Sequence, residues 1–380
     1  GLQLKKDGAN LASGSYVKSD FISGSTVLNF NKTDGAWRYI TKLEVNGVEK
    51  GQFWNSFNNT WLVRNGLASQ GKFGEFGDGT YSYSVATRTE SGIVSEFSEP
   101  VTLTYDSTNP VIESVSINNG DTVNNETKLS IRVTDNIALN RLVVNFKQNG
   151  TVISGGNNIV PVSGTSDTVE VALPKNLSQY TDYSVSIGAS DQAGNTAQTV
   201  NRTFRIDNTL PSAWIDEPDN EQFVTSAATI KGGASDDVEI KSIGMTVDGS
   251  SVEVAGVINS TDKRKASIET PISAFGSLED GYHTVVLTVT DVAGNVVTVD
   301  RKFRLDTAFP GLTLKVKGND ATRDGTRVRG NVHLEGLSDD VNPHVLYLAV
   351  FKPGNEGYDA EEELFNDNTG LSTVDKTWDT

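Results

Sequence analysis

The chain of 380 residues has no cysteine and a single methionine, Met245. A disulfide framework and a thiol site are therefore excluded, and stability has to come from packed cores or bound ions. No apolar run approaches the ~20 residues that a membrane-crossing helix needs, so membrane insertion by such a helix is not expected. Positive charge is scarce: 32 Lys and Arg face 49 Asp and Glu, for a formal net charge of −17. Nucleic-acid binding depends on basic stripes that neutralise phosphates, and this balance argues against it. Histidine is almost missing too. His283, His333 and His344 share no repeated context, and no Ser-His-Asp order, His-Glu-x-x-His or phosphate-cradling glycine loop is present. The carboxylates Asp236 and Asp237 are sequence neighbours, which is not in itself a glycosidase arrangement. Catalysis is not expected, and His283, beside the apolar run Thr284 to Val289, reads as a strand-surface residue.

What the chain does have is Gly, Ser, Thr, Asn and Asp between short β-branched runs, with no long segment of helical period. That pattern reads as all-β, and 380 residues suffice for three or four domains. A phrase recurs along it: Asp106-Ser-Thr-Asn-Pro110, Asp207-Asn-Thr-Leu-Pro211 and Asp306-Thr-Ala-Phe-Pro310, with the aspartates 101 and 99 residues apart. Ser190-Asp-Gln-Ala-Gly-Asn195 answers Thr290-Asp-Val-Ala-Gly-Asn295, and Thr134-Asp-Asn136 answers Ser235-Asp-Asp237. A fixed period of self-similarity marks one folding unit per repeat. The expected units are 1–105, divergent and aromatic-rich; 106–206; 207–305; and 306–380, partial or divergent. A start at Gly1 without an initiator Met is expected of a piece of a longer chain.

In the second unit Leu129, Ile131 and Val133 alternate, as do Leu142, Val144 and Phe146; Val169, Val171 and Leu173 follow, then Tyr183, Val185 and Ile187. About seven short strands per hundred residues predict an immunoglobulin-like sandwich. Tyr183 and Tyr282 lie near the start of the penultimate strand, the place of a corner tyrosine whose hydroxyl bonds back to the chain; packing alone is the competing reading.

The three repeated phrases resemble the bacterial Ig-like repeats of large surface adhesins, including the type I-secreted adhesins of Gram-negative bacteria. The resemblance covers residues 106 to about 310 well, the first unit weakly and the fourth partly. It implies an extracellular, cell-surface stalk: an extended monomeric rod of tandem β-sandwiches, often rigidified by calcium at the junctions, that holds a binding region away from the cell.

The acidic positions fit that chemistry, since calcium takes six to eight hard oxygen ligands from carboxylates, carbonyls and water. In a sandwich the opening Asp, the loop before the third strand and the loop between the last two strands can share one end. Asp106, Asp135 and Asp191 form one candidate set, and Asp207, Asp236, Asp237 and Asp291 the next, with Asp306 and Asp339 continuing the series. The competing reading is turn chemistry alone, because Asp and Asn bond local backbone and tolerate unusual φ; it suits Asn195 and Asn295 better than ligation does.

The first unit departs from the pattern. Trp37, Tyr39, Phe53, Trp54, Phe57 and Trp61 crowd into one stretch that also carries amides. Trp54 and Trp61 are candidates for stacking on a glycan or receptor, against the alternative of a divergent core. A third reading makes the chain an accessory Ig-like region of a secreted polysaccharide-active enzyme.

Overall fold

The computed structural model describes residues 2–6, 9–18, 26–29, 33–55, 60–62, 76–252 and 256–308, and the backbone of further strands between 312 and 379. The chain divides into two compact units, Gly1–Leu210 with Asp291–Asn295, and Pro211–Thr290 with Val296–Thr380. Every regular element described is a strand, apart from one 3-10 turn at Ile272–Phe275.

The first unit begins with β1 (Gln3–Lys6), β2 (Ala9–Leu11), β3 (Ser15–Val17), β4 (Thr26–Asn29), β5 (Arg38–Val45), β6 (Val48–Asn55), β7 (Thr60–Leu62), β8 (Gly79–Arg88) and β9 (Val101–Tyr105). They form two sheets, in the orders β2-β1-β4-β7 and β3-β9-β8-β5-β6. Next come β10 (Val111–Val115), β11 (Asp121–Val123), β12 (Lys128–Thr134), β13 (Leu139–Gln148), β14 (Thr151–Pro161), β15 (Ser166–Ala172), β16 (Asp182–Asp191) and β17 (Val200–Ile206). Their sheets run β10-β12-β15 and β11-β17-β16-β13-β14. In the second unit β18 (Ser212–Glu217), β19 (Gln222–Val224), β20 (Thr229–Ser235), β21 (Ile240–Val247), β22 (Ser250–Val252), β23 (Val257–Ile258), β24 (Lys265–Pro271), β25 (Gly281–Asp291) and β26 (Val296–Leu305) repeat the plan. Their sheets run β18-β20-β24-β23 and β19-β26-β25-β21-β22. The strands described beyond residue 311 form a four-stranded and a two-stranded sheet. The architecture is thus all-β: several small sheets in tandem, none closed into a barrel.

Period-two alternation builds these strands, because successive side chains of a strand face opposite ways. Leu129, Ile131 and Val133 of β12 are fully buried while Lys128 and Arg132 point out. They share a core with Val171 of β15 and with Leu142, Val144, Phe146, Val185 and Phe204 of the five-stranded sheet, so both sheets contribute to one apolar cluster. Hairpins turn at Asn46-Gly47, Asn149-Gly150 and Asp248-Gly249, where both residues have positive φ. That is the twist a two-residue hairpin turn needs, and Asx-Gly supplies it at least strain.

Each large sheet has one parallel pair: β3 with β9, β11 with β17 and β19 with β26. Antiparallel partners dominate elsewhere, and these short strands have too few apolar residues to announce themselves in the sequence.

Two expectations are corrected here. Tyr183 is a corner tyrosine whose hydroxyl accepts the Ser178 N–H at 3.0 Å, but Tyr282 is 64% exposed and turned outward. The neighbouring His283 is only 9% exposed and occupies the inward place, so it is not a strand-surface residue.

The Phe146 ring meets Phe204 edge-on at 6.3 Å between centroids, deep in the second repeat's core. Phe146→Ala should lower stability by about 3–5 kcal/mol, measured by urea denaturation; a loss under 1 kcal/mol would contradict this core assignment.

Candidate metal centre

The aspartate that opens each repeat is positioned by the short parallel strand. The N–H groups of Asp106, Asp207 and Asp306 donate to the carbonyls of Val17, Val123 and Val224, the last residues of β3, β11 and β19. This fixes the chain as it leaves the closing strand. Asp106 and Asp207 are fully buried, and Asp306 is half-buried.

Around Asp106 the fold collects two further carboxylates. Asp135 follows β12, where its Oδ2 accepts the N–H groups of Ile137 and Ala138 at 2.9 and 2.8 Å. Asp191 ends β16, and its Oδ1 accepts the N–H groups of Gly194 and Asn195 at 2.6 and 2.8 Å. Gly194, at φ 92°, takes the left-handed turn that brings both amides round. One oxygen each from Asp106, Asp135 and Asp191 lies within 4.8 Å of the others.

Two of the three carboxylates are only half used. Asp106 Oδ1 accepts from the Thr108 N–H at 3.1 Å, whereas Asp106 Oδ2 and Asp135 Oδ1 are buried without a hydrogen-bond partner. A buried acceptor left unmade costs about 1–3 kcal/mol, more when charged. At an effective dielectric of about 20, two carboxylates at this separation repel by about 3 kcal/mol. Burial, reinforced by the charges of Asp135, Asp191 and Asp78 and only partly countered by Thr108, raises the Asp106 pKa to about 6. A proton relieves that cost below this pH, and a hard cation can relieve it above. The donor set, three carboxylate oxygens at or just beyond strand ends, could in principle hold a hard divalent ion.

The turn reading holds for Asn195 and Asn295, which also reach the aspartate that opens the repeat. Asn195 closes its turn by donating Nδ2 to Asp191 Oδ2 at 2.7 Å, and it also donates to the Asp106 carbonyl at 3.0 Å. Asn295 does the same with Asp291 Oδ2 at 2.7 Å and the Asp207 carbonyl at 3.1 Å.

The other sequence candidates divide between the units. Asp207 and Asp291 lie in the first; Asp236, Asp237 and Asp306 lie in the second. Asp207 Oδ1 accepts from Gln179 Nε2 and the Thr209 N–H, and Asp236 Oδ1 from the N–H groups of Val238 and Glu239. In both, the second oxygen is buried without a hydrogen-bond partner, as in Asp106 and Asp135. Asp237 is exposed, and Asp339 lies outside the described residues. Trp54, on β6 opposite Ile40, is 52% exposed with the Arg88 guanidinium 5.0 Å from its ring centre. Trp61 pairs with Leu28 between β7 and β4, and its side chain lies outside the described residues, as does Phe57.

A second set of junction residues was not anticipated. Asp78 accepts four hydrogen bonds: from the Ser107 N–H and hydroxyl, from the Thr108 hydroxyl at 2.6 Å, and from Asn136 Nδ2 at 2.8 Å. At the next junction Gln179 Nε2 donates to Asp207 and to Thr209 Oγ1, and Gln179 Oε1 accepts the Asn208 N–H. In the second unit Asp280 accepts the N–H and hydroxyl of Thr307. Positions 78, 179 and 280 stand 101 residues apart, and this spacing was the signal that could have revealed them.

The direction of the Asp106 shift sets a pH dependence. Its folded pKa lies above the unfolded value, so the folded state binds the proton more tightly and Asp106 favours folding most in acid. In cation-free buffer that contribution should fade as pH rises from about 4 to about 6 and stay lost above. The difference in melting temperature between wild type and Asp106→Asn isolates it: the wild type should lose ground to the variant across that window. A constant difference would refute the assignment.

Solved structures with some likeness to the chain include three adhesin regions. A structure giving insight into host cell surface retention of a 1.5-MDa bacterial ice-binding adhesin has 18% identity and a TM-score of 0.29, over 81% of this chain and 98% of that one. A tetra-tandem repeat from the extending region of a large adhesion protein has 17% identity and a TM-score of 0.25, over 97% and 88%. A Ca2+-stabilised adhesin with which an Antarctic bacterium binds ice has 14% identity and a TM-score of 0.24, over 99% and 90%. No curated protein matches the sequence. A family model described as a bacterial Ig-like domain matches residues 106–206.

Proposed function

We propose that the chain is a spacer from a bacterial cell-surface adhesin, a tandem series of Ig-like sandwiches in an extended rod, with calcium binding where the second repeat begins. The observation that carries this reading is the Asp106 carboxylate. It is fully buried, one oxygen has no hydrogen-bond partner, and Asp135 and Asp191 lie within 4.8 Å. The bacterial Ig-like match over residues 106–206 supports it, and so does the sequence period. Calcium is preferred to magnesium because magnesium demands near-ideal octahedral geometry and gives up its water reluctantly. The function is then mechanical: a divalent ion offsets most of the charge of three carboxylates gathered where the second repeat begins, and so stiffens its attachment to β9. Such a segment carries a receptor- or glycan-binding region outward from the cell.

Calcium titration of the full chain tests this directly. Calcium at about 100 times its Kd should stabilise the second repeat by ~2.7 kcal/mol, a melting shift on the order of 10 °C. Small-angle scattering should show a longer maximum dimension with calcium than after chelation. Asp106→Asn with Asp135→Asn should abolish both responses; unchanged melting and length on chelation of the wild type would sink the proposal.

A second reading is favoured by Trp54, whose exposed ring beside Arg88 offers a face on which a sugar can stack. Glycan-array binding that Trp54→Ala reduces at least tenfold would support recognition by the first repeat. Binding unchanged by the variant, or no binding at all, would remove it.

A further inference from the structure

The third repeat fastens its corner with different chemistry from the first two. Asp280-Gly-Tyr-His283 aligns with Asp78-Gly-Thr-Tyr81, so His283 stands where the first repeat has Tyr81 and the second has Tyr183. The sheet register agrees: Tyr81 faces Leu103, Tyr183 faces Phe204 and His283 faces Phe303. Tyr183 stacks on Phe204 with centroids 5.9 Å apart, and the His283 ring lies over Phe303 at 5.4 Å. Each tyrosine makes its corner bond through a hydroxyl, Tyr81 donating to the Gly77 carbonyl and Tyr183 accepting from Ser178. A hydroxyl does this at any pH below its own ionisation, which for tyrosine is near 10.

A second exchange accompanies the first. The hairpin turns begin with Asn46 in the first repeat and Asn149 in the second, but with Asp248 in the third. Asp248 Oδ1 accepts the Thr284 N–H at 2.8 Å, which holds the carboxylate against the corner. Its Oδ2 lies 2.6 Å from His283 Nδ1, and His283 Nε2 lies 2.7 Å from the Glu279 carbonyl.

We infer that His283 and Asp248 form a protonation-dependent fastener at this end of the third repeat, closed when the imidazole carries both protons. The ring faces an acceptor at each nitrogen, a carboxylate oxygen and a backbone carbonyl, and only the imidazolium can donate to both. The neutral ring has one N–H, so either Asp248 or the Glu279 carbonyl must then face a lone pair. The ring is 9% exposed, which leaves little room for water to replace the lost bond.

Among the described residues, the other charged groups near this corner are turned away or otherwise engaged. From β26 the ring meets Phe303, while Arg304 lies over Phe223 and Tyr282, and Lys302 is exposed. Glu279 contributes its carbonyl, and the Asp280 carboxylate is engaged with Thr307. β19, the parallel neighbour of β26, has no titratable side chain. Burial raises the Asp248 carboxyl, but the bonds from Thr284 and His283 outweigh it and hold it below the ordinary carboxylate range. Histidine ordinarily changes charge between about pH 5 and 8. The imidazolium closes both bonds and the neutral ring only one, so the corner is fastened more firmly when both ring nitrogens carry protons.

Amide hydrogen exchange on the full chain tests this, with protection factors corrected for intrinsic rates at pH 5.5 and 8. Protection at residues 282–285 and 302–304 should fall roughly five- to tenfold from pH 5.5 to 8, relative to residues 183–187 of the second repeat. His283→Tyr and Asp248→Asn, each restoring the residue type of the other repeats, should both remove that fall. With 15N-histidine labelling, the signal lost in His283→Tyr should show two protonated ring nitrogens at pH 6. Equal protection at both pH values, an undiminished fall in either variant, or a single ring N–H at pH 6 would overturn the inference.

Discussion

Where one repeat gives way to the next, folding buries an aspartate and leaves its carboxylate short of partners. Nearly every group of Asp106 is held: its N–H by the Val17 carbonyl, its own carbonyl by Asn195 Nδ2, its Oδ1 by the Thr108 N–H. Asp207 is held in the same way, by Val123, Asn295, Thr209 and Gln179. In both residues the remaining Oδ2 has no hydrogen-bond partner. The chain's direction and the unmade bond are thus two results of one geometry. Closing β9 or β17 against a short parallel strand delivers the aspartate to its buried place, and the fold then has to accommodate its charge.

The core of the second repeat can sustain that cost because it is almost wholly apolar. In the second repeat the inward residues of β12, β13, β16 and β17 are aliphatic or aromatic and mostly inaccessible. Surface ion pairs add little: Lys128 and Glu170, for instance, are both 62% exposed at 3.3 Å, and such pairs contribute about 0–1 kcal/mol. Stability therefore resides in the apolar clusters, and the acidic excess acts where it is concentrated, at the strand ends.

The sequence revealed most where its chemistry is periodic. Leu129, Ile131 and Val133 alternate because one face of β12 is buried, and that pattern needs no knowledge of neighbours. The convergence of Asp106, Asp135 and Asp191 was legible because each follows a strand whose end the repeat had already located. β14 was not, since Thr151–Pro161 contains two glycines and two asparagines and lacks regular alternation. The clamp at positions 78, 179 and 280 was not legible because Gln replaces Asp in the middle repeat, and most of its partners lie in linkers about 29 residues away. The corner histidine was hidden by an offset of one residue: a tyrosine stood at 282, and only the register of β25 against β26 shows that it points outward.

Asp78 and Asp106 show how one junction separates its charges. Burial raises both carboxyls, but Asp78 accepts four hydrogen bonds that more than offset it, and its pKa falls below the ordinary carboxylate value. Asp106, with one such bond and three carboxylate neighbours, is pushed the other way, to about 6. Asp78 consequently stays ionised through the mildly acidic range and holds Ser107, Thr108 and Asn136. Asp106 is left with a buried charge that its one hydrogen bond does not offset, and a proton relieves it in mild acid. The junction accordingly has two layers: a hydrogen-bonded clamp at Asp78, and beside it a buried carboxylate that its neighbours leave unsatisfied.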